Sequence, residues 1–351
     1  MQGRIRGMAT VGLASALVLT GCASGGSGGG GDAEGVESIT FVSWGGGFQD
    51  AQIEAFAKPF TEATGTKVRS DGPTDYAKIK AQVETGNIDW DVVTAEPFWA
   101  EAECGTLLES LTDIDRGQLV ESAGSDCGVP VSSTAYVLGY NADAYKGDKP
   151  SSWADFFDTK KFPGKRAVWN YAPGAALEAA LLADGVPADE LYPLDIERAI
   201  AKLDTIRDDI AFFDTGAQLT QMLESGEATM GVTWNGRGYD AALNNAAITP
   251  VWDQSLILFD VLSVPKGLDE KELAAAKEFI QTAVSEPAQE TFVDLWPSGS
   301  SNTTVPAPED KLKFAWSPDG AGKGTSTLIS SSWWAENYDA ASDAWTAWAA
   351  G

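Results

Sequence analysis

The stretch FVSWGGGFQDAQ, Phe41 to Gln52, sets a bulky aromatic against three glycines where an apolar run gives way to an amphipathic one. A hydrophobic core has no use for Gly45, Gly46 and Gly47. A binding site uses both parts: an aromatic wall, and bare backbone that a ligand or an incoming lobe can approach. The pairing recurs at Trp234-Asn235-Gly236-Arg237, and Thr94-Ala95-Glu96 also follows an apolar run. Trp44 and Trp234, on opposite sides of a cleft, could sandwich an alkyl-ammonium group; a cation over an indole face is worth about 0.5–2 kcal/mol. Arg237 either holds a ligand carboxylate in bidentate fashion or pairs with Asp240 or Asp253. Asp260 lies inside SLILFDVLSV, an apolar run where a lone carboxylate is costly unless paired.

This is the chemistry of holding, not of turnover. The 351 residues include no histidine, which removes Ser-His-Asp and Cys-His hydrolases and histidine metal sites together. The carboxylate pairs Asp89 with Asp91 and Glu101 with Glu103 are two apart, and no further catalytic set accompanies them. GAGKGTST, 320–327, fails as a phosphate loop because Gly324 follows Lys323 and position 317 is serine. WGGGFQD is no dinucleotide fingerprint, since its last required glycine is Asp50. No enzyme activity, metal or cofactor is expected.

Positioning these motifs requires strands alternating with helices. Ser38–Ser43 reads as a strand, and Gln49–Phe60 as a helix with Ile53, Phe56 and Phe60 on one face, ended by Thr64-Gly65. Lys67–Ser70 is the next strand, Tyr76–Thr85 a helix with Ile79 and Val83 inward, and Asp91–Thr94 a short strand. Val129–Tyr140 is long and extended, a first crossing between lobes. Beyond it come a strand at Lys165–Trp169 and helices at Gly174–Asp184, Asp195–Ile206 and Thr215–Ser225. A strand at Ala228–Trp234 and a helix to Asn245 follow. Ser255–Val264 carries the chain back, Leu268–Val284 and Ser285–Leu295 are helices, and Ser331–Ala350 holds four of the thirteen tryptophans. The alternation predicts an α/β protein with parallel sheets covered on both faces. Ligands in such sheets sit at the carboxyl ends of strands, where all three motifs fall.

The N-terminus is read apart from the fold. Arg4 and Arg6 precede an apolar stretch, Met8–Thr20, too short to span a bilayer comfortably, so residues 1–21 read as a secretory signal. Leu19-Thr20-Gly21-Cys22 is similar to a bacterial lipobox, with Cys22 the lipidated residue, and residues 22–35 form a flexible Gly/Ser tether. The remaining length is too great for one small core and fits two lobes. Losing Arg4 and Arg6 takes the net charge from -27 to -29, which disfavours nucleic acid and anionic lipid and would draw in a cation. In an exported protein Cys104 and Cys127 are expected to form a disulfide, closing a loop worth roughly 3 kcal/mol on the chain-entropy model; two buried free thiols are the alternative.

SWGG, SWADFFDTKKFPGKRAV, ALLADGVPADELYPLDIERA, SGEATMGVTWNGRG, FDVLSVPKG and SEPAQETF occur here in that order. In this the chain resembles the bacterial extracellular solute-binding proteins of ABC importers, in the spermidine/putrescine-binding branch. The resemblance implies a periplasmic-binding-protein-like type II fold, two α/β lobes joined by crossover strands that close on a ligand by a hinge motion. Lobe 1 would hold 36–138 and 258–310, and lobe 2 139–257 and 311–351. It implies that Asp260 fixes an amine and that Trp296 and Trp333 or Trp334 line the cleft. The expected ligand contacts are Trp44, Gly45, Gly46, Thr94, Glu96, Trp234, Arg237, Asp260, Trp296 and Trp334.

Two departures narrow the ligand. Trp169-Asn170-Tyr171-Ala172-Pro173-Gly174-Ala175 lacks the acid that polyamine binders place there, and Leu258 stands where an aromatic precedes the aspartate. With Arg237 nearby, a shorter or zwitterionic amine such as 4-aminobutyrate fits better than a long polyamine. A sugar binder of the same fold is the alternative, and an extracellular hydrolase a remoter one. The expected protein is a monomer, lipid-anchored on the outer face of the cytoplasmic membrane or in the periplasm. Its partners would be an amine and membrane permease subunits, not nucleic acid.

Overall fold

The computed structural model describes residues 36–120, 123–315 and 326–351. The expected signal, Cys22 and the tether lie outside the described residues, as does most of the 320–327 run.

Strand β1 (Ser38–Val42) leads into α1 (Gly46–Gln52), a π-helical turn (Ile53–Ala57) and α2 (Lys58–Thr64). This helical run begins three residues before the expected Gln49, so Gly46 and Gly47 are its first turn. Gly65, in the left-handed region, ends it. Then come β2 (Lys67–Asp71), α3 (Tyr76–Thr85), β3 (Val92–Ala95) and α4 (Pro97–Ala102). Asp75 caps α3 by accepting from the Lys78 N–H, which places the helix start where the sequence put it.

The long strand β4 (Val129–Asn141) is followed by α5 (Trp153–Phe157), β5 (Lys165–Trp169), α6 (Ala176–Ala183), α7 (Ile196–Asp204) and β6 (Ile210–Phe213). Helix α8 (Gly216–Ser225) starts in a capping box between Thr215 and Gln218, then β7 (Ala228–Trp234) runs into α9 (Asn235–Leu243). Strand β8 (Ile248–Ser263) returns the chain to α10 (Glu270–Ala283), α11 (Glu286–Leu295), β9 (Gly299–Ser300), β10 (Ser326–Leu328) and α12 (Ser331–Ala349). Strand β6 and helix α5 were not anticipated.

The strand order is β2-β1-β3-β8-β4-β7-β5-β6. Within the outer groups β2-β1-β3 and β7-β5-β6 the pairing is parallel, as expected. At the centre β3/β8, β8/β4 and β4/β7 are antiparallel, which corrects the expectation of parallel sheets throughout. The reason is topological: β4 runs opposite to β8 and β7, and β8 opposite to β3 and β4, so the two long strands break the parallel pairing between the outer groups.

Phenylalanines dominate the packing under β1. Phe41 meets Phe279 with ring centroids 5.1 Å apart, and Phe56 meets Phe292 at 5.2 Å. All four are fully buried, each contributing about 1.5–3 kcal/mol of transfer free energy. On the other side Arg166 is fully buried. Its guanidinium donates to the carbonyls of Phe156 (2.8 Å) and Gly164 (2.6 Å), tying down the loop before β5. Cys104 and Cys127 are joined as a disulfide.

Candidate functional site

A cavity of about 230 Å³ lies where the strand ends converge, and Trp44, Glu96, Trp234, Arg237, Asp260 and Trp296 line it. On the measure in which one water needs ~10–15 Å³, it admits a small organic molecule.

Asp260 is built into the site by strand register. Period two along β8 puts Leu258 and Asp260 on the cavity face while Ile257 and Phe259 pack on the other side. A register shift between Pro130 and Ser132 sets Ser132 opposite Asp260 and Thr134 opposite Leu258. Asp260 Oδ2 therefore accepts from Ser132 Oγ (3.1 Å) and Thr134 Oγ1 (2.8 Å), and Oδ1 accepts from Trp44 Nε1 (2.8 Å). Burial pushes its pKa up, and the three donors hold that rise back. None of the ion pairs among the described residues involves Asp260 or Glu96.

Glu96, at the end of β3, is also buried. Its Oε2 accepts from Tyr76 Oη (2.7 Å) and Tyr171 Oη (3.2 Å). Burial raises its pKa to about 7, against the pull of the two phenols.

Arg237 faces the cavity from the first turn of α9. Its Nη1 pairs with Asp240 Oδ2 at 3.3 Å and its Nη2 donates to the Gly45 carbonyl at 3.2 Å. The ion pair with Asp240 is thus present, and the guanidinium still forms part of the cavity wall. Asn235 anchors this turn: its Nδ2 donates to the carbonyls of Pro297 (2.6 Å) and Phe314 (2.7 Å), and its Oδ1 accepts from Ala135 N–H (3.0 Å).

The glycines make room for these groups. A Cβ on Gly46 would stand 2.8 Å from Arg237 Nη1, and one on Gly216 2.5 Å from Arg237 Nε. A Cβ on Gly47 would lie 2.7 Å from Trp296 Cζ3, and one on Gly236 2.4 Å from Trp296 Cζ2. Gly45 and Gly46 do not line the cavity. The backbone expected to be bare to a ligand is occupied at Gly45, whose N–H donates to Gln49 Oε1 (2.9 Å), because the helix start needs that donor satisfied.

Thr94 and Trp334 also stand off the cavity. Thr94 is fully buried, 3.5 Å from Gln52 Nε2. Trp334, on α12, is fully buried and donates to Glu178 Oε1 at 2.8 Å, while Trp333 packs on Tyr192. Trp44 and Trp234 line one cavity, but each ring has its own partner. Trp44 is edge-on to Tyr76 (6.4 Å) and Trp234 to Trp169 (4.8 Å). The sequence reading missed Tyr76, Ser132, Thr134, Trp169 and Tyr171, whose only signal was aromatic or hydroxyl character. Chemically the arrangement can hold an ammonium at buried carboxylates between aromatic walls, and a carboxylate at Arg237.

A model of the family described as bacterial extracellular solute-binding protein matches residues 55–321. The chain is 36% identical over 273 residues to the gamma-aminobutyric acid-binding protein of Pseudomonas aeruginosa, covering 75% of this chain and 76% of that one. It is 25% identical over 230 residues to the spermidine/putrescine-binding periplasmic protein of Escherichia coli, covering 61% and 64%. The solved structure of the Atu4243-GABA receptor matches with a TM-score of 0.77 and 38% identity over 89% of this chain and 97% of that one. The fold is periplasmic-binding-protein-like, two α/β lobes joined by crossover strands. Of the two curated relatives named, the polyamine binder is the more distant.

Proposed function

The chain belongs to the bacterial extracellular solute-binding protein family, and from that premise we propose that it captures a small zwitterionic amine, 4-aminobutyrate or a close analogue, for an ABC importer. The ammonium group sits at Asp260 and the carboxylate at Arg237. Trp44 and Trp234 wall the alkyl chain, with Trp296 behind. The observation that carries this reading is the buried Asp260 carboxylate, held by three neutral donors and no cation, in one cavity with a guanidinium. An extended diamine needs a carboxylate at each end, and Arg237 opposes it at the second. Similarity to a gamma-aminobutyric acid-binding protein supports the same choice.

The two lobes are 36–138 with 258–310, and 139–257 with 311–351. They close over the ligand, and the Arg237 bond to the Gly45 carbonyl supports closure by joining one to the other. Cys22 carries the lipid that tethers the monomer outside the cytoplasmic membrane, where it delivers ligand to permease subunits.

A thermal-shift panel of 4-aminobutyrate, putrescine, spermidine and sugars tests the ligand class, since tight binding raises the melting point by mass action. The expected result is a shift with 4-aminobutyrate, lost in Asp260→Asn by at least roughly thirtyfold in affinity, the lower end for a buried charge partner. A shift only with polyamines removes the carboxylate role of Arg237. One only with sugars overturns the amine reading.

A further inference from the structure

Glu96 is more than a second acid beside Asp260. The phenols that bond it come from distant segments, Tyr76 from α3 and Tyr171 from the segment after β5. The Glu96 N–H donates back to Tyr76 Oη at 3.0 Å, so this hydroxyl both donates to and accepts from the same residue. The titratable groups facing this carboxyl are Tyr76 on α3, Tyr171, Tyr136 on β4 and Asp260 on β8, with Tyr338 of α12 behind Tyr171. None of them is a cation. Asp260 adds its charge to the cost of ionising Glu96. The guanidinium that lines the same cavity, Arg237, is paired with Asp240; Glu96 and Asp260 do not both stay ionised without a further positive charge, and in the ligand-free protein that charge is a proton.

We propose that Glu96 is a proton-exchanging specificity residue: a ligand ammonium drawn to Asp260 displaces a proton from the Glu96 carboxyl, so that cation capture and proton release are coupled. The inference rests on the amine reading of the cavity. The amine arrives already protonated, the O–H bond of Glu96 breaks, and the proton passes to solvent. Neutral ligands bring no charge to replace it and release none. The cavity therefore discriminates by charge in a way that depends on pH. The carboxyl's position near 7 puts the change close to neutrality.

Calorimetry with 4-aminobutyrate between pH 5.5 and 8.5, in pairs of buffers of different ionisation heat, reads the proton directly. The expected result is release of close to one proton per ligand near pH 6. Affinity should rise by up to about tenfold per pH unit and level off above neutrality. Glu96→Gln should bind with neither the release nor the slope. Tyr171→Phe, which removes one donor to the carboxylate, should move the levelling-off to higher pH and keeps the test open if Glu96→Gln folds poorly. Release that persists in Glu96→Gln assigns the proton to Asp260 and overturns the proposal. Binding without release in the wild type overturns it alone, whereas a wild type that binds no amine at any pH overturns the amine reading and the proposal together.

Discussion

Glu96 and Glu178 are two buried carboxyls with nearly the same neighbours and different surroundings. Glu96 accepts from two tyrosines; Glu178, on α6, accepts on Oε1 from Tyr192 Oη at 2.9 Å and Trp334 Nε1 at 2.8 Å. Burial raises the pKa of both. Glu96 opens onto a cavity shared with Asp260, while Glu178 is sealed under α12 and its Oε2 meets no partner. A buried carboxyl with no space beside it can only hold its donors in place. One that faces space can exchange the proton for another charge. The same chemical cost therefore serves packing in one region and recognition in the other.

The largest effect expected is on the sealed side. Glu178→Ala leaves a void and strands the Trp334 and Tyr192 donors, costing about 3–5 kcal/mol in urea unfolding. Amine affinity should change less than twofold, and a large loss of affinity there would dissolve the contrast.

Next comes the pH dependence of stability in the ligand-free protein. Glu96 holds its proton to about 7 when folded and gives it up near 4.5 when unfolded. Stability from this group is therefore full below 4.5 and declines as pH rises to 7, by on the order of 3 kcal/mol. Glu96→Gln should remove that decline, measured as the difference in unfolding free energy between pH 5 and pH 8. Glu178→Gln should flatten stability against pH without touching the pH dependence of amine affinity.

The smallest effects separate backbone strain from site geometry at neighbouring glycines. Gly45 and Gly46 both have positive φ, but an added Cβ meets nothing within 4 Å at Gly45 and lies 2.8 Å from Arg237 Nη1 at Gly46. Gly45→Ala and Gly46→Ala should each cost about 1 kcal/mol of stability. Only Gly46→Ala should weaken 4-aminobutyrate binding, by about fivefold in calorimetry.

The sequence by itself determined the local elements. Caps and periodicity placed Tyr76–Thr85, Lys165–Trp169 and Ala228–Trp234 where the structure has them, because the signals that start and end them are neighbours in the chain. It also brought Trp44, Glu96, Trp234 and Arg237 forward as candidates, since a charge or a tryptophan at a strand end stands out, while Asp260 stood out as a carboxylate inside an apolar run and Trp296 came from the family resemblance. Tertiary structure alone decided what those residues meet. The hydroxyls that hold Asp260 are 128 and 126 residues away, and the Gly45 carbonyl that receives Arg237 is 192 away. Strand register and the antiparallel centre of the sheet set those meetings, and spacing along the chain carries no trace of either. Gly46 and Gly47 are the plainest instance. Their presence was visible in the sequence, but their use was to let an arginine and a tryptophan from distant segments lie against the backbone, which only the folded packing defines.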